Sequence, residues 1–143
     1  MNLIFSRLFS KRMKEYGKKF RSIEDDVQPV INSLEAGNLI GDEVDNLDKI
    51  PEYCSVYKVR IGNSDTNAGT SNGYRLIYYF TVKSKEREEI YVAVIYYKKT
   101  KSEVLDKGEL SKLIRKLLKD YNLNELLRAY WEGYEDGYNS VIE

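Results

Sequence analysis

Histidine is absent from the 143-residue chain, and with it goes imidazole as a base, an acid or a metal ligand. The commonest ribonuclease and protease mechanisms are therefore excluded. The one cysteine, Cys54, has no internal disulfide partner, and without histidine beside it no zinc-type ligand set can be assembled. Proline occurs twice, at Pro29 and Pro51, so few points along the chain are barred from regular structure. No apolar run approaches the roughly 20 residues a membrane helix needs. The N-terminal stretch MNLIFSRLFSKRMK lacks the apolar region and small-residue cleavage site of a secretory signal, so the cytosol is the expected compartment. What the chain has instead is tyrosine, 13 of them, and 23 Lys and Arg against 23 Asp and Glu. Its length suits one domain with a modest core.

The zero net charge hides segregation. Arg7 to Arg21 holds seven cations against Glu15, and Glu24 to Glu52 holds nine acids against Lys49. The strand region that follows is basic, and the tail after Tyr121 is acidic again, with Glu125, Glu132, Glu135, Asp136 and Glu143 against Arg128. Local fields of this kind are invisible in the total, and a polyanion partner remains compatible with neutrality.

Asn2 to Ser6 is a short apolar run able to add a strand to a sheet. Leu8, Phe9, Met13 and Tyr16 then recur at helical spacing within Arg7 to Lys19, leaving the cations on an outer face that is either solvated or in contact with RNA. Ser22 followed by Asp25 reads as a helix cap. Ile23, Val27, Val30, Ile31 and Leu34 form one stripe of the helix it starts, Pro29 is expected to kink or break that helix, and Gly37 to stop it. Two helices of opposite charge in succession predict a hairpin laid on a sheet. Asn38 to Tyr53 reads as an acidic connecting loop, and Asp42, Glu43, Asp45 and Asp48 lack the glycine and terminal glutamate of a calcium loop.

Three strands follow: VYKVRI (Val56 to Ile61), YRLIYYFTV (Tyr74 to Val82) and EIYVAVIYY (Glu89 to Tyr97). They are rich in the β-branched and aromatic types that suit a pleated surface. The loop GNSDTNAGTSNG (Gly62 to Gly73) and the turn KSKERE (Lys83 to Glu88) join them as an antiparallel meander. The loop carries no GK[ST] and opens no helix, so it is a hairpin connection able to adjust around a ligand and not a phosphate cradle. Alternation sets Tyr57, Val59 and Ile61 on one face and Lys58 and Arg60 on the other. Arg75 enters the second strand, and Lys98, Lys99 and Lys101 leave the third. In a meander these side chains converge on one end and face of the sheet, where cations interleaved with tyrosines suit a phosphodiester. Glu109 to Tyr121 reads as an amphipathic helix, and Asn122 to Glu143 as a further one whose aromatic stripe serves as core or dimer contact, or screens the basic sheet. The expected fold is α+β: an N-terminal helix hairpin packed on a small, mainly antiparallel twisted sheet, with residues 1–121 as the domain and 122–143 as an acidic, aromatic C-terminal helical extension.

The succession of strand, helix hairpin, VYKVRI, GYRLIYY, EIYVAVIYYKKTKSEV and a C-terminal helix resembles the RelE/HigB branch of the RelE/ParE toxin superfamily, over Asn2 to Tyr121. The resemblance implies a toxin of a type II toxin–antitoxin pair that cleaves messenger RNA, often on the ribosome, with no metal and no cofactor. The ribose 2′-hydroxyl attacks the adjacent phosphate, leaving a 2′,3′-cyclic phosphate and a free 5′-hydroxyl. A base, an acid and positive charge aimed at the phosphorane are required, and Lys, Arg and Tyr supply them in this family. Its strand lysine pair falls on Lys58 and Arg60. Arginine stays protonated, so Arg60 suits phosphate binding and Lys58 is the base, provided burial and neighbouring cations favour its neutral form. The arginine of the GYR motif falls on Arg75, the stabiliser of transition-state charge, and the basic cluster falls on Lys98, Lys99 and Lys101, which neutralise phosphate. Leu105 stands where RelE has a functional tyrosine, and a leucine moves no protons. Tyr97, with Tyr96 as second choice, is expected to take over acid/base work or to stack a base. The implied partners are mRNA, the ribosome and a cognate antitoxin that covers the basic face. Two rivals share the fold: a non-catalytic ParE-type toxin that inhibits a protein such as gyrase, and a self-inhibited or interaction module.

Overall fold

The computed structural model describes residues 1–82 and 88–122. In chain order these form β1 (Asn2–Phe5), α1 (Arg7–Lys19), α2 (Ile23–Glu35), β2 (Asp42–Glu43), β3 (Cys54–Ile61), β4 (Tyr74–Val82), β5 (Glu88–Tyr97), a 3-10 turn (Lys101–Glu103) and α3, which starts at residue 107 and continues through 122. The protein is α+β. Its five strands make one mixed sheet in the order β1-β5-β4-β3-β2, with β1 parallel to β5 and every other neighbour antiparallel. The segment Asn2 to Ser6 does add a strand, whereas Asn38 to Tyr53 is more than a loop, because Asp42 and Glu43 pair with Lys58 and Tyr57 as an edge strand. The aromatic helix expected over 122–143 lies, from residue 123 on, outside the described residues.

The sheet is covered on both faces. Phe9, Tyr16 and Phe20 from α1 and its end, with Ile23, Val27, Val30 and Leu34 from α2, pack on Val59, Ile61, Tyr74, Leu76, Tyr78, Ile90, Val92, Ile95 and Tyr97. On the opposite face Leu110, Ile114 and Leu118 of α3 meet Cys54, Val56, Ile77, Tyr79, Ala93, Val94 and Tyr96. Strand alternation on β3 and β4 is thus realised as the period of two requires. No helix among the described residues is long and apolar enough to cross a membrane.

Ser6, which precedes α1, does three things at once. Its backbone N–H donates to Val92 O at 3.0 Å, its Oγ accepts from the Phe9 N–H at 2.9 Å as the helix N-cap, and its hydroxyl donates to Ala93 O. Ala93 is the extra residue of a bulge: Ile77 pairs with Val94 but Tyr78 pairs with Val92. The serine therefore fastens the chain start to the one place where β5 breaks register, satisfying a carbonyl that the ladder leaves unpaired.

Pro29 neither breaks nor ends α2, which runs unbroken from Ile23 to Glu35. Pro29 is exposed, so the Asp25 carbonyl that loses its helical partner turns toward water, and the buried stripe of α2 holds the helix against that loss. Ser22 does occupy the N-cap position, but its side chain makes no capping bond; Glu24, Asp25 and Asp26 in the first turn complement the helix dipole instead.

Candidate functional site

Pairing across β3, β4 and β5 sets Arg60 opposite Arg75 and Arg75 opposite Tyr96, a row at one end of the sheet. Lys58, two residues back on β3, pairs with Ile77 on one side and Asp42 of β2 on the other. All of them lie on the face that α3 covers. They differ in depth: Arg60 is exposed and Lys58 half-buried, while Arg75 is 5% and Tyr96 3% exposed. Arg75 and Tyr96 form the floor of a patch whose mouth is made by Lys58 and Arg60.

Arg75 is committed to the loop between β3 and β4. Its Nη1 donates to Thr70 O at 2.7 Å and Tyr74 O at 3.0 Å, and its Nη2 to Ser71 O at 3.0 Å. Lys98 Nζ donates to the same Ser71 carbonyl at 2.9 Å. The loop's other half is fixed from the far side of the sheet. Asn63 Oδ1 accepts the Asp65 N–H, Asp26 of α2 accepts from the Ser64 N–H and hydroxyl, and Asp65 accepts the Ser22 N–H. Gly73 closes the hairpin where a Cβ would stand 2.0 Å from Ile61 O, a position only glycine can fill. The loop expected to flex is pinned at both ends.

Clustering of like charge has its physical signature at Lys58. Its amine is held below the ordinary lysine value, first by burial, then by the charges of Arg75, Arg60 and Lys107, against an opposing pull from Asp42. Arg75 is lowered by burial and by Arg60, with Tyr96 acting the other way. Burial raises the Tyr96 hydroxyl, and the Arg75 charge draws it back down. A lysine that sheds its proton more readily, beside an arginine that does not, can accept a proton and bind an anion at the same place.

The remaining expected residues separate. Tyr97 does not face the cations. It is a core residue on the α1/α2 face, 5% exposed, with Phe20 at 5.1 Å and Tyr74 at 5.5 Å between ring centroids. The cause is the bulge. Counting by twos from Ile90 brings Tyr97 to the α3 face, but the extra residue at Ala93 flips the phase, so that Tyr96 replaces it beside Arg75. Lys98 joins the patch through Ser71. Lys99 and Lys101 are exposed on the segment leaving β5, and among the described residues no hydrogen bond or ion pair ties either to the patch. Leu105 is packed against the α3-side core.

Two groups at the site escaped sequence reasoning. Lys107 lies at the start of α3, just after Asp106, which exchanges capping bonds with Glu109. A D-x-x-E box before an apolar run is the signal that would have placed it. Asp42 was counted only as part of an acidic loop. A third network, Tyr16 hydroxyl and Arg12 on the Glu103 carboxylate with the Tyr97 N–H donating to Tyr16 Oη at 2.9 Å, binds α1 to the 3-10 turn on the other face. Burial, and then the hydrogen bond to Glu103, push the Tyr16 hydroxyl up to about 12. A groove of about 610 Å³ lined by Arg7, Leu8, Tyr91, Leu113, Lys116 and Asp120 shares no residue with the cationic patch.

Fold and site together define an α+β protein with a tyrosine-floored, arginine- and lysine-lined cationic patch at one end of a two-sided sheet. No protein-family model, curated protein or solved structure matches this chain.

Proposed function

We propose that this protein is a toxin of the RelE/HigB kind: a metal-independent mRNA endoribonuclease that acts in the cytoplasm, in association with the ribosome, and is restrained by a cognate antitoxin. On this reading α1 and α2 are the helix hairpin of a RelE-like fold. The observation that carries it is the meeting of Lys58, Arg60 and Arg75 on one end and face of the sheet, with the Lys58 amine held below its ordinary value first by burial and then by Arg75, Arg60 and Lys107. A site for in-line displacement at phosphorus needs both a proton acceptor and fixed positive charge, and here burial and that charge together favour the acceptor form of Lys58.

In the proposed step neutral Lys58 takes the proton of the 2′-hydroxyl, and the 2′ oxygen forms a bond to the adjacent phosphorus. The bond from phosphorus to the 5′ oxygen breaks, and that oxygen leaves with a proton from the Lys107 ammonium. Arg60, exposed at the mouth, binds the phosphate; Arg75 contributes its field from the floor and holds the loop. The products are a 2′,3′-cyclic phosphate and a 5′-hydroxyl.

A second reading, a ParE-type toxin that binds a protein target without cutting, draws on two facts. Leu105, at the position where the resemblance implies a functional tyrosine, is packed against the α3-side core, and three Arg75 donor bonds already go to backbone carbonyls. Expression with growth measurement and end mapping of mRNA separates the readings. Nuclease action gives arrest together with cyclic-phosphate 3′ ends, and both are lost in Lys58→Ala. Arrest without new ends, or cutting by Lys58→Ala at the parent rate, sinks the nuclease reading.

A further inference from the structure

The acidic edge strand β2 bears on the same patch. Pairing sets Asp42 opposite Lys58 and Glu43 opposite Tyr57. Cross-strand partners share a face, so alternation divides the two acids: Glu43 goes with Tyr57 toward the α1/α2 side and Asp42 with Lys58 toward the cations. The approach of β2 is enforced by Gly41. It has φ +95°, and a Cβ there would stand 2.6 Å from Lys58 O and 2.9 Å from Val59 Cγ2. Val44 N–H extends the ladder to Val56 O at 2.8 Å. Among the described residues no ion pair closes between Asp42 and Lys58, so the carboxylate acts across the strand gap and leaves the amine free.

We propose that Asp42, set opposite Lys58 by strand β2, is a positioning residue of the cationic site that acts across the strand gap on the Lys58 amine and favours its protonated form. The charges facing Lys58 are Arg60 on its own strand, Arg75 on β4, Lys107 on α3 and Asp42 on β2. Three repel a proton from it, and Asp42 retains one. The acid thus keeps the lysine from discharging so early that it no longer attracts an anion. The consequence for catalysis rests on the RNA-cleavage reading; the effect on Lys58 itself does not.

The test follows the Lys58 Cε resonance through a pH titration of the full chain by carbon-13 NMR, with Lys58→Arg identifying the signal. Asp42→Asn moves the midpoint down by about half a unit to one unit, the size expected of one charge across a partly screened gap. Asp42→Glu restores most of the shift, and Gly41→Ala, which displaces β2, imitates Asp42→Asn. In the RNA-cleavage profile the rising limb moves to lower pH by the same amount. A Lys58 midpoint unmoved in Asp42→Asn overturns the proposal. If the midpoint moves as stated while neither parent nor variant cuts RNA, the positioning role stands and the nuclease reading falls.

Discussion

Lys58 is a residue whose surroundings work against it. Its folded proton affinity is below the ordinary value of 10.5, so the native state binds that proton less well than the unfolded chain does. The sign of the linkage follows: the group lowers stability at every pH below its folded value, and the loss fades as pH rises from there toward the unfolded value. Lys58→Met and Arg60→Met are therefore expected to raise Tm at pH 7, by roughly 1–4 °C for a chain of this length, and the gain from Lys58→Met should shrink as pH rises from the lowered folded value toward 10.5. A stability cost kept at a surface site is the pattern of function, since a merely solvated strand cation has no reason to sit among like charges. Thermal scans at pH 7 and pH 10.5 check it; a lowered Tm for both variants would mean the cations stabilise the sheet, and would point to a structural role. At this scale the sequence was informative about faces and silent about phase. The alternation of Lys58 and Arg60 against Tyr57, Val59 and Ile61 needs only the period of two, and it holds. The choice between Tyr96 and Tyr97 turned on one inserted residue, and nothing in AVIYY announces which residue is extra.

That insertion belongs to the scale of elements, because a serine 87 positions away holds it. Ser6→Ala removes the α1 cap, at about 1 kcal/mol, and leaves the buried Ala93 carbonyl without its donor, at about 1–3 kcal/mol. Urea unfolding should show a combined loss of about 2–4 kcal/mol, and on the nuclease reading RNA cleavage should fall with it as Tyr96 loses its fixed place beside Arg75. A loss below 0.5 kcal/mol would show that the bulge is kept by the strands alone. Pro29→Ala should act in the opposite direction, restoring a backbone donor in the middle of α2 and raising stability by about 1–2 kcal/mol, less than the full interior penalty because proline also restricts the unfolded chain. Its exposure on α2 is what makes the substitution tolerable. Helices α1, α2 and α3 and strands β3, β4 and β5 were legible because each carries a stripe or alternation of its own. Strand β2 was not, since two acidic residues have no periodicity to read, and its pairing depends on the positive φ of Gly41.

At the scale of the molecule, neutrality of net charge means that any polyanion must be drawn by local field, and two of the cation-bearing regions lie on opposite sides of the sheet. The basic outer face of α1 is on the α1/α2 side; Lys58, Arg60 and Arg75 are on the α3 side. Salt dependence tells them apart. Each phosphate contact with single-stranded RNA contributes about 0.7 to the slope of log affinity against log salt concentration. A short oligonucleotide held by Lys58 and Arg60 should therefore lose about 1.4 from that slope in the Lys58→Met, Arg60→Met double variant. Lys11→Gln with Lys14→Gln, two exposed positions on α1, should leave it unchanged. The reverse result, a slope that falls only with the α1 pair, would place the nucleic acid on the helical side and leave the sheet patch without a substrate. Arg75 adds a condition of its own. Because its donors hold Thr70 and Ser71 in place, Arg75→Lys keeps the charge but loses the fork, so the affinity slope should be nearly preserved while the loop becomes accessible to protease between Gly69 and Gly73. Affinity lost without any gain in cleavage of the loop would instead mean that Arg75 meets the phosphate directly.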